Sequence, residues 1–143
     1  MDDASVLVDT GAMLALVDED DGWHRACVET VSQLRLPLLT SEAVLTEYFH
    51  LLGKNRRLLA RAWGLVRSAV TLASIADGDL RDINSLMERY ADRPMDFADA
   101  TLVHLAHRER LSTVFTVDFA DFQTYRIGGR QRFRILPDPA LRV

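Results

Sequence analysis

"SVLVDTG", residues 5–11, sets Val6, Leu7 and Val8 directly before Asp9. A short run rich in β-branched residues reads as a buried strand, and the helical composition of GAMLALVDED, residues 11–20, follows it. Ending a buried strand on a carboxylate is costly unless the charge is partnered. In open α/β sheets ligands sit beyond the carboxyl ends of the strands, so a second strand ending the same way would point to a site. Asp118 closes TVFTVD, residues 113–118, in that way. The plain alternative for either Asp, taken singly, is a cap on the helix that follows.

Working outward, LPLLT (36–40), VTLAS (70–74) and FRIL (133–136) read as further strands. Helices are predicted over GWHRACVETVSQL (22–34), SEAVLTEYFHLL (41–52), RRLLARAWGLVRSA (56–69), DGDLRDINSLMERYAD (77–92) and MDFADATLVHLAHRER (95–110). Strands alternating with helices imply an α/β fold with a central parallel sheet of four to five strands, covered by helices on both faces. A length of 143 residues with 48% hydrophobic residues suits one domain over residues 1–143. The single cysteine, Cys27, has no internal disulfide partner, and "MDDAS" is acidic where a secretory signal would be basic. Apolar runs such as GAMLALV fall far short of the ~20 residues that span a bilayer. The expectation is a cytoplasmic protein without a membrane segment.

A net charge of −4 argues against coating nucleic acid by charge alone. The distribution is uneven: residues 1–30 hold eight acids against Arg25, whereas residues 126–143 hold five arginines against Asp138. KNRRLLARAWGLVR, residues 54–67, is a second basic stretch. Arg56, Arg57, Arg130 and Arg132 are therefore candidate contacts to a polyanion near the acidic residues, the plainer reading being solvated faces.

Two helices carry carboxylates among apolar neighbours. Glu47 shares a helical face with Ala43, Val44 and Leu51, and Asp99 shares one with Met95, Leu102 and Val103, with Asp96 one turn before it. No Lys or Arg lies one turn from Glu47 or Asp99. Buried acids without bases need hydrogen bonds or a cation, and an oxygen-only donor set suits Mg²⁺ or Mn²⁺. Such an ion can orient and deprotonate water and polarise a phosphodiester. His104 and His107 lie one turn apart without a Cys or third His beside them. His24 reads as a helix-start hydrogen bond, Cys27 as core, and Tyr48, Phe49 and Trp63 as core or dimer surface. The Glu-x-x-His spacing of Glu47 and His50 occurs once, where di-iron bundles need it twice. A haloacid-dehalogenase-like site would need a second Asp at Gly11.

VDTGAMLAL, TSEAVLTEYFHLL, RYADRPMDFADATLVHLA and VFTVDFADFQTYR together resemble the PIN-domain ribonucleases, and within them the VapC toxins of bacterial toxin–antitoxin pairs. By that resemblance Asp9, Glu47, Asp99 and Asp118 correspond to the acidic metal-binding set, Asp96 to an accessory acid and Thr116 to a supporting hydroxyl. Thr10 and Asp121 match weaker positions. The resemblance implies Mg²⁺- or Mn²⁺-dependent endonucleolytic cleavage of RNA, homodimers, and inhibition by a cognate antitoxin with which the chain forms a hetero-oligomer. The competing reading is a non-catalytic PIN fold that binds RNA or dimerises; loss of an acid would have favoured it, and none is lost.

Overall fold

The computed structural model describes residues 5–141. Five strands form one parallel sheet: β1 (Leu7–Val8), β2 (Leu38–Thr40), β3 (Val70–Leu72), β4 (Thr113–Phe115) and β7 (Arg134–Leu136). Their order is β3-β2-β1-β4-β7, so the strand that leads to Asp9 is central and pairs with β2 and β4. Successive strand residues point to opposite faces. Leu7 and Val8 are both fully buried, as are Val114 and Phe115, so the middle of the sheet is covered on both sides.

Seven helices flank the sheet among the described residues: α1 (Thr10–Val17), α2 (His24–Val31), α3 (Glu42–Leu52), α4 (Arg56–Ala69), α5 (Leu80–Arg89), α6 (Phe97–Arg108) and α7 (Phe119–Thr124). Helix α6 is the most enclosed, with Ala98 and residues 100–106 all buried. Ser41 caps α3 through the Val44 N–H and also shares a 2.7 Å hydroxyl bond with Thr101, joining α3 to α6. Tyr48 is entirely buried and donates to the Ala62 carbonyl at 3.2 Å, joining α3 to α4.

The predicted strands and the six predicted helices are present, with shifted ends. A turn of 3₁₀-helix at Asp77–Asp79 precedes α5, and α6 starts at Phe97 because Asp96 caps it. Two elements were not foreseen. Helix α7 is only six residues, too short to show a period. The antiparallel pair β5 (Arg126–Ile127) and β6 (Gln131–Arg132) turns through Gly128 and Gly129, both at positive φ; paired glycines between extended residues are the signal that marks it. Among the described residues no helix is long and apolar enough to cross a membrane.

Gly11, in the first turn of α1, shows how closely the site elements pack: a Cβ there would lie 2.7 Å from Val117 Cγ2. Gly11→Ala should therefore lower stability by about 1–3 kcal/mol despite the better helix propensity of alanine. Adding Val117→Ala should return part of the loss, read as denaturant midpoints of the single and double variants.

Candidate active site

The pairing of β1 with β4 continues past the strands, with the Asp9 N–H donating to the Phe115 carbonyl at 3.0 Å. Asp9 is left 6% exposed. Its Oδ1 accepts the Thr10 N–H at 2.8 Å, which makes it the N-cap of α1. Its Oδ2 accepts the Thr116 hydroxyl at 3.0 Å, and Thr116 Oγ1 in turn accepts the Asp118 N–H at 2.9 Å. Asp9 thus caps α1 with one oxygen and is tied to Thr116 by the other. Asp118 occupies the N-cap position of α7 but makes no side-chain cap bond.

Helices α3 and α6 bring the other acids. The Thr10 hydroxyl donates to Glu47 Oε1 at 2.6 Å, tying α3 to the start of α1. Asp96 caps α6 by accepting the Asp99 N–H at 2.8 Å, which leaves Asp99 in the first turn, where the helix dipole favours an anion. Tyr125, buried against Phe122 and Tyr90, donates its hydroxyl to Asp99 Oδ2 at 3.2 Å.

Asp9, Glu47, Asp96, Asp99, Asp118 and Asp121 line one open cleft of about 410 Å³, together with Thr10, and no Lys or Arg is on its wall. The expectation that the Glu47 face is buried holds for Val44 but not for Leu51, which is 58% exposed because the cleft opens there. Met95, Leu102 and Val103 around Asp99 are buried as expected. Thr10 and Asp121 stand on the wall as well, and Asp121 follows Asp118 by one helical step of three. Tyr125 and Arg93 escaped the sequence reading because neither spacing nor composition marks them. Among the described residues no three His, Cys, Asp or Glu side chains are drawn together tightly enough to serve as a ready-made metal cage.

The electrostatics are those of buried, crowded anions with one counter-charge, Arg93, beside Asp121. Burial, then the charges of Glu47 and Asp96, push Asp9 up to about 6, against the opposing hydrogen bonds from Thr10 and Thr116. Burial and the charges of Asp9, Asp96 and Asp118 push Asp99 up to about 8, opposed by Tyr125. Asp118 rises to about 7 through burial, Asp121 and Asp9, opposed by Arg93. Arg93 Nε lies 3.5 Å from Asp121 Oδ1, and its Nη2 donates to the Ala120 carbonyl.

The candidate arginines stand elsewhere. Arg56 and Arg57 are exposed at the start of α4, where Arg57 faces Asp18, Glu19 and Asp20. Arg130 and Arg132 belong to the β5–β6 hairpin region, and neither lines the cleft. His24 Nδ1 bonds the Ala15 carbonyl at 2.6 Å, Cys27 is core, and Trp63 is exposed beside Phe49. His104 Nε2 is held by Asp79 at 2.8 Å, which removes it from any metal pair with His107.

Residues 6–127 match the PIN domain family. The chain belongs to that family. This PIN domain is 29% identical over 135 residues to Ribonuclease VapC26 of Mycobacterium tuberculosis, covering 92% of this chain and 100% of that protein. Among solved structures it superposes on VapC20 of Mycobacterium tuberculosis, described as a sarcin-ricin loop cleaving toxin, with a TM-score of 0.70 at 23% identity, covering 82% of this chain and 94% of that one. A toxin–antitoxin complex from Klebsiella pneumoniae gives 0.66 at 18% identity, covering 93% and 97%. VapBC2 from Rickettsia felis, bound to a promoter DNA fragment, gives 0.65 at 12% identity, covering 92% and 98%. At these identities the structures establish the PIN fold.

The raised carboxylates of this PIN domain have a consequence for stability. Their folded values lie above the ordinary carboxylate value near 4, so between about pH 4 and pH 8 the folded state binds more protons than the unfolded chain. Stability in EDTA should therefore rise as pH falls through that window. Below about pH 4 it should decline, because Asp79, held near 2 chiefly by the Ala76 N–H and His104, then loses its contribution. Thermal melts across this range test the sign, and Asp99→Asn should be at least as stable as the parent in EDTA at pH 8.

Proposed function

We propose that this PIN domain is a metal-dependent endoribonuclease that acts as the toxin of a toxin–antitoxin pair. The observation that carries the reading is the cleft itself: acids delivered by the ends of β1 and β4 and by α3 and α6 face one space without a basic residue on its wall. Names of the relatives, a ribonuclease and toxins of VapBC pairs, point the same way.

The donor set fits Mg²⁺ or Mn²⁺. All the donors are hard oxygens, and three of them hold protons more tightly than ordinary carboxylates, chiefly because they are buried and further because their neighbours are acids. When bound, such an ion supplies Lewis acidity toward a phosphodiester and lowers the pKa of water. Asp9, Glu47, Asp99 and Asp118 would hold it, and Asp96 would assist while one of its oxygens caps α6. Thr116 keeps Asp9 Oδ2 in one orientation and ties it to the Asp118 backbone. Thr10 does the same for Glu47, and Tyr125 for Asp99. Protons resident on Asp99 and Asp118 at neutral pH must leave before these groups can act as ligands, so activity should rise with pH through about 7 to 8.

The same reading takes residues 1–143 as one domain, since β7 joins the sheet beside β4 beyond residue 127. It also takes the chain as cytoplasmic, a homodimer, and a hetero-oligomer with its antitoxin.

Purified protein should cleave single-stranded or loop RNA with Mn²⁺ or Mg²⁺ and stop on chelation. Asp99→Asn and Asp118→Asn should each lose at least about 100-fold in kcat/KM. Thr116→Val should lose about 10–100-fold, the usual effect of removing a group that orients a ligand. Undiminished cleavage in excess EDTA would overturn the metal mechanism. In cells, expression should arrest growth, the antitoxin should relieve the arrest, and Asp9→Asn should abolish it.

A further inference from the structure

A cavity larger than the acidic cleft lies elsewhere in the molecule. It measures about 600 Å³ and is lined by Arg110 and Arg134, with Arg35 on its wall and Asp138 as its one acid among the described residues. A second cavity of about 470 Å³ adjoins it, sharing Arg110 and Ser112 and adding Arg130, Gln131 and His107, with no acid. The two form one groove at the carboxyl end of α6, while Asp96 and Asp99 occupy its amino end. Twelve residues of α-helix put about 18 Å between these ends.

Three features mark the groove as a binding surface. Arg110, Arg130 and Arg134 make no ion pair with any described residue, which is also true of exposed arginines such as Arg56, Arg57 and Arg132, so what sets these three apart is that they gather along one groove. Among the described residues Arg110 is the one non-glycine at positive φ, 58°. It stands just past the end of α6, where glycine is the usual occupant. Among the described residues the charged lining is four arginines, Arg35, Arg110, Arg130 and Arg134, against Asp138, in a chain whose net charge is −4. Of the large exposed apolar side chains only Leu141 borders the groove, which gives a peptide little to bury.

We propose that this groove grips the phosphodiester backbone of RNA at a distance from the acidic cleft. The proposal rests on the reading of the chain as a ribonuclease. The acids of the cleft repel phosphate until a cation is bound, so affinity for a long substrate must come from elsewhere, and unpaired guanidinium forks are suited to phosphate oxygens. RNA long enough to reach both ends of α6 would gain from the groove, and a short oligonucleotide would not.

The test uses the full chain in EDTA, where binding is read without cleavage, with fluorescein-labelled hairpin RNA and anisotropy. The triple variant Arg110→Asn, Arg130→Gln, Arg134→Gln should weaken binding at least 10-fold at 100 mM salt and flatten the plot of log K against log salt by about 2 units. Asn is chosen at 110 because it tolerates positive φ. The matched triple Lys variant should keep most of the affinity and the slope, which separates charge from folding. With Mn²⁺, the first variant should raise KM for the hairpin while leaving kcat, and should cleave a tetranucleotide like the parent. Parental affinity and slope in the triple variant overturn the groove alone. Wild-type protein that binds no RNA in EDTA yet cleaves it with Mn²⁺ overturns the groove alone, and wild-type protein that neither binds in EDTA nor cleaves with Mn²⁺ overturns both the groove and the ribonuclease reading. Saturation of the groove by AMP, with hairpin affinity unchanged in the variant, assigns it to free nucleotides and overturns the proposal.

Discussion

The hydrogen bond from Thr116 to Asp9 is the constraint around which the rest of the molecule is arranged. It joins the residue that ends the central strand to the residue that follows its neighbour β4, inside a sheet whose middle is buried on both faces. A carboxylate at that depth costs several kcal/mol unless it is hydrogen-bonded. Asp9 answers the cost with two donors, one from the backbone of α1 and one from Thr116. Those bonds hold it in place but do not cancel its charge, and its neighbours are also acids.

Much of the remaining architecture serves to bring those acids to the same place without collapse. Thr10 reaches across to Glu47, Ser41 reaches across to Thr101, and Tyr125 reaches up to Asp99 from an aromatic cluster. Each link is a short neutral donor bonded to a group on another element, so the ring of carboxylates is oriented while its repulsion is left standing. The raised proton affinities of Asp9, Asp99 and Asp118 come first from burial, and the neighbouring acids add to them. Arg93 stops at the rim, against Asp121.

Helix α6 separates charge along its length. Its amino end presents Asp96 and Asp99 and its carboxyl end leads to His107, Arg108 and Arg110, an order that agrees with the helix dipole. Asp79 secures the middle and far end by accepting from His104 and Arg108 together with the Ala76 N–H. Arg108 is spent on that structural contact, whereas Arg110, two residues on, is not.

The sequence by itself determined the layered α/β class, the parallel sheet and the acids Asp9, Glu47, Asp99 and Asp118, because strand hydrophobicity and helical spacing are local patterns and a carboxylate set among apolar residues stands out from them. Even the double nature of Asp9, cap or site, was visible as a choice. The tertiary structure shows the cap and sets the same carboxylate in the wall of the acidic cleft. It also brought Tyr125 to Asp99, set Arg93 beside Asp121, and carried Arg130 to the opposite end of α6 from the acids. These are contacts between residues 26 or more positions apart, or between a hairpin and a helix end, and no periodicity encodes them. They follow from how β4, α7 and the hairpin pack against α6, where the closeness of two side chains depends on the whole path of the chain between them.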